Sequence, residues 1–379
     1  MKLVLTHVRH AATGGTERVL DQLARRWTGA GHAVTVLCRS FDDALAAETG
    51  ARFVRLRSRA FGAAHRHRVF GRDVERWLAA HRGDHDAVLG LGRTWTQDVL
   101  RLGGGCHATF VEGLPGWKRW RPKHRMLLAL ERVVLAPGSA RLFVANSRMV
   151  RDDVCGRYGL DPTQVEVVHN GVDLDRFSPD KREREGATVR GALGIPPDVP
   201  VVLFLGTGFA RKGLARLLRA FPAVRSERPE AELVVVGRDA DPAHYARLAQ
   251  SLGLDSGVHF VGPRPDAENW FAAADCYVLP THYDPFANST LEALASGLPT
   301  ITTRTNGGHE LVDPGVHGAV LTDPDDADEL AHAVLTWLPR RAEAAAAIRA
   351  RASEHALADK ADRLLALLER ASATPQERR

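Results

Sequence analysis

The strongest constraint on this chain is an alternation that occurs twice. Short apolar runs rich in β-branched residues take turns with longer stretches of helical periodicity, beginning with "KLVLTHV", "GTERVLDQLARRWTGAG" and "HAVTVLC". The order returns after residue 198 with "PVVLFLG", "GLARLLRAFPAVRSE", "AELVVVG", "AHYARLAQSLGL", "VHFVG", "AENWFAAA", "CYVLP", "TLEALASG" and "PTITT". Runs such as "VVLFLG", apolar at nearly every position, suit strands buried on both faces, as in a parallel sheet covered by helices. Strand, helix, strand repeated in this way predicts an α/β protein with two doubly wound sheets, whose ligands sit beyond the carboxyl ends of the strands.

At 379 residues the chain exceeds one ordinary core, so two domains are expected. The polar, turn-rich "HNGVDLDRFSPDKREREGATV", about residues 169–189, reads as their joint. The expected division is 1–175, 176–355 and a terminal segment 356–379, whose amphipathic "KADRLLALLERA" packs back on the first domain ahead of a frayed "SATPQERR". A content of 44% hydrophobic and 26% charged residues belongs to a globular protein and excludes extended disorder away from the ends. Cys38, Cys106, Cys155 and Cys276 lie far apart with no C-x-x-C pairing, against a disulfide framework or zinc site. The first apolar run is broken by His7 and Arg9, too short for a signal peptide, and no run approaches the about 20 residues of a membrane span. A reducing cytoplasm is the expected location.

Formal charge is 51 − 46 = +5, and its distribution is uneven. Between Trp117 and Arg132, six basic residues (Lys118, Arg119, Arg121, Lys123, Arg125 and Arg132) face one acid, Glu131, so 6 − 1 = +5 sits in one segment. An anionic partner is sought there first. Trp117 and Trp120, followed by Met126, Leu127, Leu128 and Leu130, make it cationic and amphipathic, suited to reversible contact with an anionic membrane. The same pattern serves an ordinary helix with one buried face. No RNA-binding or helix-turn-helix signature accompanies the charge, so nucleic acid is not an expected partner.

Three stretches carry candidate chemistry. Gly14 and Gly15 follow the first strand, where a helix start, capped by Thr13 or Thr16, lets backbone approach a phosphate or sugar. A plain tight turn produces the same pair. "FLGTGFARKGLARLL" sets Gly206, Gly208, Arg211, Lys212 and Gly213 between a buried strand and a helix, suiting a diphosphate without matching a Walker loop. "THYDPFANSTLEALASGLP" crowds Asp284, Asn288, Ser289, Thr290 and Glu292 where a strand hands over to a helix. Asn288 or Ser289 is expected to cap that helix, which closes at Gly297, with the N–H groups of Asn288, Ser289 and Thr290 directed at an anion. Capping leaves Asp284 and Glu292 unexplained, whereas carboxylates that bind sugar hydroxyls account for both.

The spacing of Asp284 and Glu292 resembles the E-x(7)-E element of the retaining GT-B glycosyltransferases, particularly glycosyltransferase family four, most like its lipopolysaccharide-core glucosyltransferases. "GTGFARKGL" resembles that family's phosphate loop, "VANSRMVRDDVCGRYGLDPTQVEVVHNGVDLDRFSP" its domain-joining segment and "TRTNGGHELVDPGVHGAVL" its closing stretch. The resemblance implies a GT-B architecture of two Rossmann-like domains facing a central cleft. It implies that Arg211 and Lys212 hold the donor diphosphate, Asp284 the sugar and Glu292 the ribose, while the backbone around Arg264 meets the base. Gly15 would face the sugar from the amino-terminal domain, and His107 in "GGGCHATF" would stand near the reacting centre, although alone it is equally a structural histidine. The first acid is one methylene shorter than the family's usual glutamate, which bears on reach and sugar preference.

Under this resemblance a UDP-hexose reacts with a saccharide or glycolipid acceptor, without cofactor or metal. The D-x-D matches at Asp173/Asp175 and Asp239/Asp241 read as chance. The alternatives are a sugar-nucleotide epimerase of the same architecture and a non-catalytic nucleotide-sugar sensor.

Overall fold

The computed structural model describes residues 1–11, 14–114 and 116–373. Thr13 and the last residues of the terminal tail lie outside that description. Among the described residues, strands β1 Lys2–Thr6, β2 Ala33–Cys38, β3 Arg52–Arg55, β4 Ala87–Gly90, β5 Val99–Leu102, β6 Leu142–Ala145 and β7 Val165–Val167 form one sheet, ordered β3-β2-β1-β4-β5-β6-β7. Strands β8 Val201–Thr207, β9 Glu232–Arg238, β10 Val258–Gly262, β11 Cys276–Leu279, β12 Thr300–Thr303 and β13 Gly318–Leu321 form a second, ordered β10-β9-β8-β11-β12-β13. Every strand pair within these sheets is parallel.

The first sheet carries helices α1 Gly15–Gly29, α2 Asp43–Glu48, α3 Gly62–Ala80, α4 His107–Glu112, α5 Gly116–Arg119, α6 Pro122–Val134 and α7 Arg148–Tyr158. The second carries α8 Ala187–Leu193, α9 Phe209–Lys212, α10 Leu214–Glu227, α11 Pro242–Ser251, α12 Ala267–Ala273, α13 Asn288–Ala295, α14 Ala327–Trp337 and α15 Arg341–Ser353, and α16 Leu357–Ala373 follows. None of these helices is long and apolar enough to cross a membrane.

Continuous apolar strands arise because both faces are covered. In β1, Leu3 and Leu5 join a core with Leu20, Leu23 and Trp27 of α1, while Val4 points the other way to Phe70 and Val74 of α3. The alternation of strand side chains makes this division automatic.

The chain divides into two compact units, Met1–His169 with the segment from Ala358 onward, and Asn170–Leu357. The break falls between His169 and Asn170, where sequence reading set it after residue 175. Val172 forms a parallel bridge with Ala356, its N–H donating to the His355 carbonyl at 3.0 Å and its carbonyl accepting from Leu357 N–H at 3.0 Å. Gly171 permits this contact, because a Cβ there would stand 2.6 Å from Leu357 Cα. The segment read as a polar joint is therefore largely ordered structure of the second unit. Arginines explain why: Arg182 within it and Arg190 just after it each reach Asp275 at 2.6 Å, and Arg182 also donates to the carbonyls of Ala272, Ala273 and Ala274. In the first unit, α16 buries Leu364, Leu367 and Leu368 with Leu20, Leu23 and Trp27, and Trp27 Nε1 donates to Ala361 carbonyl at 3.3 Å.

Candidate active site

Chain order reverses between β1 and β4 in one sheet and between β8 and β11 in the other, and the carboxyl ends of strands at such a reversal diverge to leave a crevice. In the second unit the loops after β8 and β11 are built around close backbone approach. Gly208 has φ 79° and Gly213 φ 80°, and a Cβ on Gly213 would stand 1.9 Å from the Pro280 carbonyl oxygen. Thr281 Oγ1 and His282 N–H both donate to the Arg211 carbonyl, at 2.8 and 2.9 Å. Asp239 accepts from Phe209 N–H at 2.6 Å and closes the start of the short α9.

These ties bring Arg211, Lys212 and Asp284 together. Arg211 Nη1 donates to Asp284 Oδ2 at 2.5 Å and to Tyr283 carbonyl at 3.1 Å, while Lys212 Nζ lies 2.7 Å from the same Asp284 oxygen. Asp284 Oδ1 accepts from Phe286 N–H at 3.2 Å. Lys212 and Asp284 are buried, whereas the Arg211 side chain is 36% exposed, so the cluster meets solvent through Arg211. Burial alone would raise Asp284, but Lys212 and then Arg211 hold its carboxyl below the usual range. Burial pulls Lys212 down, opposed chiefly by Asp284. Gly206 makes room for the lysine stem, since a Cβ there would stand 3.2 Å from Lys212 Cγ. The sequence reading put cations at one end and acids at the other. The structure instead inserts Asp284 between both cations, because a carboxylate buried this deeply needs a counter-charge.

The cap of α13 is also corrected. Ala287 is its N-cap, and neither Asn288 nor Ser289 caps it. Asn306, fully buried, instead caps the 3-10 turn Gly307–Leu311, its Oδ1 accepting from Gly308 N–H at 3.0 Å, and ties that turn to the residues around the start of α13: the same oxygen accepts from Ala287 N–H at 3.1 Å, and its Nδ2 donates to Thr290 Oγ1 and Thr302 Oγ1, both at 2.9 Å. Thr290 N–H is spent on the Ala287 carbonyl at 3.0 Å and does not point at an anion. Ser289 Oγ pairs with Tyr277 hydroxyl at 2.7 Å, and Asn288 Oδ1 accepts from Asn170 Nδ2 at 2.5 Å. Glu292 is buried one turn further on and acts electrostatically on Lys212. Asn306 was overlooked as a single position, although it begins the "NGG" of the quoted closing stretch. Arg264 lies in the loop after β10 with its guanidinium 5.2 Å from the Trp270 ring. Asp173 and Asp239 accept from backbone N–H groups in turns, and Asp241 caps α11 at His244 N–H, which gives the D-x-D pairs structural work.

The remaining candidates lie in the first unit. Gly14 has φ 123° and is the N-cap of α1 without a side-chain cap bond, so Thr16 does not cap. A Cβ on Gly15 would meet nothing within 4 Å, leaving open backbone at that helix start. His107 opens α4, buried, with Nε2 3.1 Å from His124 Nδ1. Glu131, a buried residue missed in the sequence, caps α4 from α6 by accepting from His107 N–H at 2.6 Å and Ala108 N–H at 3.1 Å, and it accepts from Tyr158 hydroxyl at 2.7 Å. Burial, then Arg93, His124 and Lys123, push His107 down to about 4. The basic segment splits: α6 turns Leu127, Leu130 and Val134 into the core, so the two leucines cannot face a membrane. Trp117 and Trp120 remain 66% and 77% exposed, with Lys118 and Arg121 over the Trp117 ring at 5.3 and 5.0 Å. Arg119 instead turns back to the carbonyls of Glu112 and Leu114, and Lys123 is exposed.

Two family models match this chain: "Glycosyltransferase Family 4" over residues 13–176 and "Glycosyl transferases group 1" over residues 199–339. The chain belongs to glycosyltransferase family four. It is 28% identical over 339 residues to the lipopolysaccharide glucosyltransferase WaaG of Escherichia coli K12, covering 86% of this chain and 88% of that protein. A crystal structure of WaaG superposes with a TM-score of 0.82 at 24% identity, covering 97% and 99% of the two chains, which shows the GT-B fold. D-inositol 3-phosphate glycosyltransferase 2 of Catenulispora acidiphila is 35% identical over 202 residues, 50% of this chain, and that match spans 46% of the relative's length.

Proposed function

We propose that this family four member transfers a hexose, glucose first among candidates, from a UDP-sugar to a saccharide or glycolipid acceptor such as a lipopolysaccharide core, with retention and without a metal. The observation that carries this reading is the cluster of half-buried Arg211 with buried Lys212 and Asp284 at the β8/β11 reversal. The glucosyltransferase name of the WaaG relative, matched over most of both chains, supports the sugar and the acceptor class.

In this reading the donor diphosphate meets Arg211 first and then shares Lys212 with Asp284, forming charge-assisted bonds that strengthen as the leaving group gains charge. Asp284 would hold sugar hydroxyls, Glu292 the ribose, and backbone near Arg264 the base. Gly14, Gly15 and Gly208 would leave backbone free for close approach, and His107 would serve from the first unit. The anomeric carbon to phosphate bond breaks, the acceptor oxygen bonds on the same face, and its proton passes to the departing phosphate. The enzyme would work in the cytoplasm, with the Trp117 to Lys123 segment in reversible contact with an anionic membrane face. Trp117→Ala with Trp120→Ala is expected to abolish sedimentation with anionic vesicles.

A thermal-shift panel of nucleotide sugars tests the donor, because a ligand at 100 times its Kd stabilises by about 2.7 kcal/mol. Arg211→Ala with Lys212→Ala should remove the shift given by UDP-glucose. A shift that survives in this variant would place the donor elsewhere and end the reading. Transfer of labelled glucose, with no free epimer, separates a transferase from an epimerase or a sensor.

A further inference from the structure

Asp284 holds the two cations that the donor's diphosphate needs. Its Oδ2 alone takes both, Arg211 Nη1 at 2.5 Å and Lys212 Nζ at 2.7 Å, while Oδ1 accepts from Phe286 N–H at the longer distance of 3.2 Å. The structural ion pairs of the same unit are loaded differently. Asp275 gives Arg182 its Oδ1 and Arg190 its Oδ2, and both guanidiniums also donate to the Ala273 carbonyl. At the donor site the ties are fewer. Lys212 has three ammonium N–H donors, and among the described residues Asp284 is its one acceptor.

The two cations also differ in what separation from Asp284 costs them. Lys212 is buried, and parting it from the carboxylate strands a charge away from water. The Arg211 side chain is 36% exposed, so water replaces the carboxylate there at little cost. The Asp284 backbone is fixed on both sides, its N–H donating to the Thr305 carbonyl and its carbonyl accepting from Gly307 N–H, both at 2.9 Å. Any change is therefore confined to rotation of a short side chain, which parts Asp284 from Arg211 and leaves Lys212 within reach.

We propose that Asp284 is a displaceable counter-ion, so that the donor's diphosphate takes Arg211 from it and thereby frees a carboxylate oxygen for the sugar's hydroxyls. The inference rests on the glycosyltransferase reading, which makes Arg211 and Lys212 the partners of the diphosphate. Two anions on one guanidinium edge repel each other, and the diphosphate, with more charge and more acceptor oxygens than a carboxylate, takes it. A nucleoside diphosphate without a hexose breaks the ion pair and gains nothing from the freed oxygen. A nucleotide sugar breaks it and bonds to that oxygen. Discrimination between the two is what Asp284 supplies.

Calorimetric titration of UDP, UDP-glucose and inorganic pyrophosphate into the full chain tests this, with Asp284→Asn and Asp284→Glu beside the native protein. Asp284→Asn, which removes the competing charge, should bind UDP and pyrophosphate roughly tenfold more tightly, and its affinity for UDP-glucose relative to UDP should fall about tenfold. Asp284→Glu keeps the charge and should bind UDP and pyrophosphate as the native protein does. A carboxylate that only holds the sugar gives weaker UDP-glucose binding in Asp284→Asn with UDP and pyrophosphate unchanged, and one that only supports the fold gives weaker binding of all three. Either result overturns the displacement and leaves the donor reading standing. Pyrophosphate binding tightened by Asp284→Asn, in a protein that binds neither nucleotide, upholds the counter-ion and ends the donor reading. A native protein that binds none of the three overturns both. Should the variants misfold, a crystal structure of the native protein with UDP decides: Asp284 parted from Arg211 with its backbone unmoved supports the proposal, and a carboxylate still 2.5 Å from Arg211 Nη1 refutes it.

Discussion

Asp284 illustrates how much a single carboxylate depends on its partners. Lys212→Ala should cost about 3 kcal/mol of stability, because it leaves a buried carboxylate with one partially exposed counter-ion. Urea unfolding at pH 7 measures it. The histidines of the first unit set the pH response. His67 and His107 titrate near 4 in the folded chain, below the ordinary value of 6.5, so between those values the unfolded chain binds more protons. Stability should fall as pH drops from about 6.5 to 4, and His107→Gln should flatten part of that slope in denaturation series at pH 7 and pH 5. Of these residues the sequence marked Arg211, Lys212, Asp284 and His107 by their motifs. It could not show that Asp284 sits against both cations, since that contact spans 73 and 72 positions of chain. Glu131 lies in no motif, and only burial sets it apart.

At the scale of elements, strands and helices were legible because their periodicities are local, while the way they start and stop often was not. The start of α13 is held by Asn306, 18 positions beyond Asn288, which accepts from Ala287 N–H and donates to Thr290 Oγ1. A side chain with four hydrogen bonds and no exposure has no cheap replacement. Asn306→Ala should cost about 3 kcal/mol and lower activity with it, because the entry of α13 beside Asp284 loosens. Thermal melting together with a donor-binding titration would reveal both effects. The α6 helix teaches the same lesson in reverse. Its leucines and the nearby tryptophans look like one apolar face in a linear reading, but the fold sends Leu127 and Leu130 inward and leaves Trp117 and Trp120 outside.

For the whole molecule, each unit has its own core, and the two are stabilised by different means. In the first, α16 supplies Leu368, so Leu368→Ala should cost 2–5 kcal/mol, roughly, and speed hydrogen exchange in β1 and β2. In the second, Asp275 holds Arg182 and Arg190 and accepts from Val201 N–H at 2.8 Å, so Asp275→Ala should speed exchange in β8 and β11 instead. Exchange rising in the same strands for both substitutions would contradict two separate cores. The amino-acid order alone determined two parallel sheets, their helices and the loops in which ligand chemistry belongs, because side-chain periodicity and glycine placement act over a few residues. Which charges neutralise one another and which asparagine holds the start of α13 were decided only in three dimensions, because burial and electrostatic pairing depend on distances that folding creates between remote parts of the chain.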